Sequence, residues 1–556
     1  MASGVDSLMT QIGTGKWSIF HFFALSYSNI LITPHTFGRP FLAPKLDFTC
    51  ISSDYNASTT TATTTATTAM TAATTIAVDA SNLTEIDRCY ESDGETPCSD
   101  WLFDTTTYTT TMTAEFTLVC GREHLRAAYH GVYQLGVLIG TPSSGFLADK
   151  YGRKLMIALS SSVYVVLGLV TAWLPGMVSI LVLRFIMGLA HGVILLVTYI
   201  LVIEVAEPRR RTLLGLTVYL IWCGSVMAWG GLAYGLREWR WLQTVASLPG
   251  VLFLPSLLFI DESPRWLAVR GRYHDAYNVL RKAARWNGAT IPKETDVVAL
   301  LKEETSSGTG ERESEGQRLR ERLAVAWQGI AVLFRTPHLR RITILTSLDF
   351  TLGSMVYYGL SLSGDDLSDN PFVYMALAGL MELPSYTLTV PVLEKLGRRS
   401  PCVVCFAFCG VTLMLLAAIP AEYTKAVMAL ALVGKMTNSA AFMIVYYYAN
   451  ELFPTVARSR GVGMCGALSR VGSILAPYVL DFVGSSRPWA ASVVFGSVSI
   501  IAAISTRLLP ETKGCALPDT VKHSETHHHH HHHHQKSGTR PHQPNHQEES
   551  LPLSGS

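Results

Sequence analysis

Long apolar stretches alternate with short charged connectors along the whole chain. Stretches of roughly 20 residues, the length a bilayer core demands of a helix, lie near 17–38, 127–148, 155–174, 178–203, 213–236 and 241–260. Six more lie near 342–363, 372–392, 402–419, 426–449, 462–482 and 489–509. Helices satisfy their own backbone groups in lipid, so the pattern predicts an all-α membrane protein of twelve spans in two sets of six. The first stretch is the most polar, with His21, Asn29 and His35. A cleaved signal peptide is its alternative reading. However, Lys16-Trp17 is a thin basic start, and no small-residue cleavage site follows.

The connectors repeat. Asp149-Lys150-Tyr151-Gly152-Arg153-Lys154 returns 245 positions later as Glu394-Lys395-Leu396-Gly397-Arg398-Arg399. Glu204, before Arg209 to Arg211, returns 247 positions later as Glu451, before Arg458 and Arg460. Glu262-Ser263-Pro264-Arg265 returns more loosely as Glu511-Thr512-Lys513-Gly514, 249 positions on. Three landmarks in one order at nearly one spacing indicate a duplicated unit, the sequence mark of a two-half secondary transporter.

Composition and charge agree with that pattern. The 556 residues are 49% hydrophobic and 15% charged, against roughly 25% charged in soluble domains. A net charge of +2 gives no reason to expect a nucleic-acid partner. Lys150, Arg153, Lys154, Arg209 to Arg211, Lys395, Arg398, Arg399, Arg458 and Arg460 all fall in even-to-odd connectors. The positive-inside rule then places those connectors, and both termini, in the cytoplasm. The expected units are a cytoplasmic start (1–16), an N-terminal bundle (17–261), a cytoplasmic linker with helices (262–341), a C-terminal bundle (342–509) and a disordered tail (510–556).

Residues 39–124 form a long outer loop with Cys50, Cys89, Cys98 and Cys120. Four cysteines on an oxidising side imply two disulfides, with three possible connectivities. Asn56 and Asn82 head glycosylation sequons in the same loop. The tract Thr59 to Thr75 is almost entirely Thr and Ala and reads as a flexible stalk. His527 to His534 in the tail is either a tag or a low-complexity repeat, and no metal site is assigned to it.

Several strings carry a family resemblance. Gly145-Phe146-Leu147-Ala148-Asp149-Lys150-Tyr151-Gly152-Arg153-Lys154 resembles the loop 2–3 motif of the major facilitator superfamily. Thr117-Leu118-Val119-Cys120, Glu262-Ser263-Pro264-Arg265-Trp266-Leu267, Tyr357-Tyr358-Gly359-Leu360-Ser361 and Asn450-Glu451-Leu452-Phe453-Pro454-Thr455 narrow the likeness. Together they look like solute carrier family 22, the organic cation, organic anion and carnitine transporters, from about residue 110 to 514. The resemblance implies a plasma-membrane carrier of small organic ions, working by alternating access with no bound cofactor. A sodium ion or proton would be its coupling partner. Gly461 to Pro477 is most similar to the carnitine and anion branches, whereas cation members carry Asp where Arg470 stands. Glu382-Leu383-Pro384-Ser385-Tyr386 resembles the cation and carnitine branches instead, since anion members usually carry Lys at Tyr386.

Ionisable groups within spans are costly and mark function. The set is Arg184, Asp349, Glu382, Lys435 and Arg470, all but the first in the second half. A mid-span guanidinium grips a carboxylate in bidentate fashion, so Arg470 is the expected substrate anchor. A structural ion pair with Glu382 or Asp349 is its bland alternative. Lys435 either joins Arg470 in drawing an anion or neutralises an acidic neighbour. Glu382 either meets a cationic head, carries a proton or pairs internally. Asp349 stands where the resemblance leads one to expect a bulky aromatic, and pairing with Lys435 or Arg470 is its expected role. Tyr357 and Tyr358 are candidates for stacking on an amine, and Trp222, on one face with Trp229, is a candidate cavity wall. Asp149, Arg153 and Glu204, with Glu394, Arg398, Glu451 and Arg458, form a candidate gate that latches the bundles on the inner face. No motif offers the nucleophile–base or metal set of an enzyme.

Overall fold

A computed structural model describes residues 4–51, 89–90, 96–306, 331–420, 422–455, 457–484 and 488–514. Nine of its helices are long and apolar enough to cross a membrane among the described residues. They supply spans 3 to 6 (Arg153–Thr171, Met177–Glu204, Leu213–Gly235, Trp239–Phe259) and spans 8 to 12 (Pro371–Leu396, Arg399–Ala418, Thr424–Leu452, Arg458–Val483, Trp489–Arg507). Spans 1, 2 and 7 complete the twelve. Span 1 is two helices, Lys16–Ser26 and Ser28–Thr36, joined at Tyr27, and spans 2 and 7 are Glu123–Tyr151 and Pro337–Leu362. These three are the more polar rods because their polar side chains face inward: His21, His35, His130, Gln134 and Asp349 are all buried. Span 7 begins at Pro337, inside the stretch expected to be linker. Thr336 caps it through a hydrogen bond to the Leu339 amide, and proline occupies its first turn, a favoured start.

Each half packs through small residues. Gly136 and Gly140 of span 2 face Gly188 and Gly192 of span 4, two small-xxx-small pairs that let backbones touch. A Cβ built on Gly188 would lie 2.1 Å from the Tyr133 carbonyl oxygen. In the second half, a Cβ on Gly472 of span 11 would lie 2.0 Å from the Thr351 carbonyl oxygen of span 7.

The two faces of the bundle differ. On the loop face, strands Phe48–Cys50 and Trp101–Phe103 pair antiparallel. Disulfides Cys50–Cys98 and Cys89–Cys120 select one of the three connectivities. Asn56, Asn82 and the Thr-rich tract lie outside the described residues, as do residues 307–330 of the expected linker and the His run.

On the linker face, the helix Gly4–Ile12 is amphipathic and buries Val5, Leu8, Met9 and Ile12. These side chains join Ala276, Leu280, Val297 and Leu301 of linker helices Tyr273–Asn287 and Glu294–Ser306. The helix Gly4–Ile12 is therefore docked on the linker helices. Asp6 bonds Arg265 and Arg211. Asp261, just past span 6, accepts from Trp17 Nε1 and Lys282 Nζ, both at 2.8 Å. Burial raises the Asp261 carboxyl, but the His21, Lys282 and Trp17 contacts outweigh it and hold the group at about 2.

That folded-state value lies below the usual value of about 3.9. The Asp261 clamp is therefore complete above pH ~4 and is lost as pH falls towards 2. Asp261→Asn is expected to remove about 2 kcal/mol of docking at neutral pH. Hydrogen exchange should show this as faster exchange in residues 4–26 and 273–287.

Candidate functional site

The centre of the molecule is built from span 1, which ends at Phe37, and from spans 5, 7, 8, 10 and 11. Lys435 of span 10 and Glu382 of span 8 form an ion pair at 3.1 Å, and both side chains are fully buried (0% exposed). The Lys435 ammonium also donates to Ser361 Oγ and sits 4.4 Å from the Tyr357 ring centroid and 5.8 Å from that of Phe37. Tyr386 donates to the Glu382 carboxylate at 3.5 Å. Trp222 Nε1 donates to the Tyr357 hydroxyl at 3.3 Å, and its ring meets Phe37 edge-on. Trp229, on the same face, donates to the Phe37 carbonyl at 2.9 Å. Tyr357, Tyr358, Glu382, Lys435 and Trp222 are thus one aromatic and charged cluster.

Arg470 is different. It is half-buried, and its hydrogen bond is a long one, Nη1 to the Tyr358 hydroxyl at 3.4 Å. No carboxylate among the described residues pairs with it. The Tyr358 ring also packs at a tilt against His130 of span 2, with centroids 5.3 Å apart. In the first half, Arg184 lies between the rings of Tyr129 and Tyr133, at 4.1 and 4.3 Å, and donates to the His35 carbonyl at 2.9 Å. Cation–π contact and carbonyls replace the missing anion there. His191 bonds the Tyr133 hydroxyl at 2.7 Å. His35 meets Ser247, and His21 meets the Trp17 carbonyl.

Asp349 corrects the sequence reading. It pairs with neither Lys435 nor Arg470. Its Oδ2 accepts from Thr506 of span 12 at 2.9 Å. It lies on the face of span 7 turned to span 12, away from the Tyr357–Tyr358 face. The periodicity of one helix could not reveal which neighbour that face meets.

The repeated signature charges pair inside each bundle. Arg153 bonds Glu204 at 3.2 Å and Asp149 at 2.9 Å, and Glu262 accepts the Arg153 amide at 3.0 Å. The second half copies this arrangement. Arg398 bonds Glu451 at 2.8 Å, and Glu511 accepts the Arg398 amide at 3.0 Å. Arg458 bonds the Phe453 carbonyl, and Glu394 is exposed.

The ion pairs that cross between bundles lie on the loop face. Asp481 Oδ1 accepts from Arg39, just past span 1, and from Arg126 in the first turn of span 2 at 2.9 Å. All three side chains are buried. Asp481 sits in a π-helical turn, Val479–Val483, at the end of span 11; such turns cluster at functional places. Tyr108 of the outer loop donates to Asp365 at 3.1 Å. Phe41 stacks on Phe372 at 5.3 Å, and Gly230 of span 5 meets the Phe372 carbonyl. Contacts between the halves run from here down to Tyr219 against Tyr386. The structure is closed on its loop face. Sequence reading missed this triad because Arg39 and Arg126 flank their apolar stretches. The available signal was Asp481, an acidic residue in the last turn of stretch 462–482.

Comparison with known proteins fits this geometry. Residues 61–520 match the family described as Sugar (and other) transporter. Solute carrier family 22 member 13 of Homo sapiens is 33% identical over 414 residues, covering 74% of this chain and 71% of that one. The chain belongs to solute carrier family 22. The Organic cation transporter protein of Drosophila melanogaster is 30% identical over 532 residues, 94% of each chain. The inward-open xylose transporter XylE from E. coli shares the major facilitator fold, with TM-score 0.59 and 15% identity over 91% of this chain and 98% of that one. Solute carrier family 22 membership makes this chain a multi-pass membrane transporter of organic ions and not an enzyme.

Removing one partner of a buried pair leaves an uncompensated charge and costs about 3–5 kcal/mol. Lys435→Met or Glu382→Gln alone is expected to lower the folded yield and melting temperature sharply. The double variant should recover much of both, as read by thermal unfolding in detergent.

Proposed function

We propose that this transporter carries small organic anions or zwitterions of the carnitine type across the plasma membrane, and that Arg470 holds the substrate carboxylate. Arg470 is a half-buried charge within a span that has no carboxylate of its own among the described residues; this single observation carries the reading. Lys435 and Glu382 cancel each other, so the local field at the centre is positive. Tyr357, Tyr358, Phe37 and Trp222 offer an aromatic wall for the rest of the substrate. This arrangement gives Lys435 and Glu382 structural parts and assigns Asp349 no substrate contact.

The linker face is read as cytoplasmic, with both termini inside, which makes the present state closed to the outside. Alternating access then breaks the Arg39–Arg126–Asp481 triad and brings the signature charges of the two bundles together on the inner face. The units 17–261 and 342–509 are the rocking bodies, with 262–341 as their linker.

A second reading has an observation behind it. The Lys435 ammonium occupies a cage of Tyr357, Phe37 and Glu382 that suits an organic cation, and the Drosophila relative is named an organic cation transporter. In that reading a substrate cation takes the place of Lys435 on Glu382, and Arg470 is a bystander.

Uptake in oocytes of carnitine, an aryl carboxylate and tetraethylammonium separates the two. A charge-assisted hydrogen bond is worth about 1.5–3 kcal/mol, so Arg470→Gln should weaken carboxylate uptake roughly 10- to 100-fold at equal surface expression. Unchanged carboxylate uptake in Arg470→Gln and Arg470→Asp contradicts the anchor. Loss of tetraethylammonium uptake per surface-expressed molecule on Glu382→Gln, with carboxylates not carried by the wild type, supports the cation reading.

A further inference from the structure

Asp349 is the buried titratable group that the substrate site does not use. Its side chain has no exposed surface, and it is 12 residues into span 7, near the linker ends of its neighbours. Thr506 stands beside the last residue of span 12, and Cys402 is in the first turn of span 9. Span 12 contributes the Thr506 hydroxyl to it, while the neighbouring Ser505 hydroxyl donates to the Leu345 carbonyl of span 7. The titratable groups facing it are Cys402 of span 9, Tyr448 of span 10 and Cys465 of span 11. All three are neutral acids in a buried setting, and no cation among the described residues reaches the carboxylate. Oδ1 has no hydrogen-bond partner.

An isolated carboxylate in such a place cannot stay charged without a cost of many kcal/mol, so it keeps a proton instead. The Thr506 hydroxyl, with one hydrogen to give, touches both Oδ2 and the Ala502 carbonyl at 2.9 Å. Two polar contacts lie between this point and the linker end of the bundle. Cys402 Sγ lies 3.9 Å from Thr506 Oγ1, and the Tyr448 hydroxyl reaches the Pro510 carbonyl beside Glu511. Span 7 ties this point to the substrate site, because Tyr357, Tyr358 and Ser361, the partner of Lys435, lie on the same helix.

We propose that Asp349 is the site of a coupling proton, loaded and released through the linker side of the C-terminal bundle. One proton from water adds to the carboxylate to give the neutral acid, and release returns the proton to water and the carboxylate to its charged form. The charged form demands water or a donor at Oδ1, which the closed packing against span 12 does not provide. Release therefore requires span 7 to shift, and that shift moves Tyr357 and Tyr358. The coupling half of the inference rests on the transport reading above; the proton-holding half does not.

The test has two arms. Infrared difference spectra of the purified protein at neutral pH, wild type against Asp349→Asn, should show the carbonyl band of a buried carboxylic acid that the variant lacks. Absence of that band overturns the inference, whatever the protein transports. In proteoliposomes loaded with a pH-sensitive dye, inward movement of an aryl carboxylate should respond several-fold to an imposed pH gradient in wild type. Asp349→Asn should lose the response while gradient-free exchange of the same probe persists. A gradient response retained in Asp349→Asn, or absent in wild type that carries the probe, overturns the coupling. Thr506→Val, which removes the donor to Oδ2 and leaves the carboxyl, should keep the infrared band; its loss there means that the band is not from Asp349.

Discussion

A charge placed in hydrocarbon must be neutralised, paired or watered, and the interior of this protein is organised by that constraint. Lys435 and Glu382 solve it by pairing at 3.1 Å with aromatic rings around the ammonium. Arg184 solves it with two tyrosine faces and a backbone carbonyl. Asp481 solves it by taking two guanidinium groups, and because these belong to the other bundle, the solution also closes the loop face. Arg470 is solved by none of these means, which is why it stands out as the place for a charged substrate.

The same constraint explains why the duplicated signatures sit where they do. Arg153 with Glu204 and Arg398 with Glu451 staple connectors to their own bundle, and Glu262 and Glu511 accept the amides that begin spans 3 and 9. Each bundle is thereby one stiff body at its linker end. Glycine contacts such as Gly188 on Tyr133 and Gly472 on Thr351 stiffen it through the membrane. Stiff halves can rock only about the contacts between them, which include the Asp481 triad, the Phe41–Phe372 stack, Trp222 on Tyr357, His130 on Tyr358 and the Tyr219–Tyr386 pair.

Span number, halves and family were legible in the sequence because hydropathy and the repeated connectors act over long stretches. The pairing of Cys50 with Cys98 was not, since four cysteines fit three patterns and spacing chooses none. Lys435 beside Glu382 stood among the alternatives, but only tertiary packing selects it over a substrate role. Asp349 went to the wrong partner because the sequence shows that a helix carries a charge, not which neighbour its face meets. The Asp481 triad escaped because its two arginines lie just outside apolar stretches and look like solvated ends. They are buried only because the outer loop and the opposite bundle cover them.

Arg470 as the uncompensated charge that takes the substrate is tested most directly by a structure with an organic carboxylate bound. The carboxylate is expected within hydrogen-bond distance of the Arg470 guanidinium, against Tyr358, with the Lys435–Glu382 pair intact. A carboxylate bound elsewhere, or a substrate ammonium on Glu382 with Lys435 displaced, contradicts it.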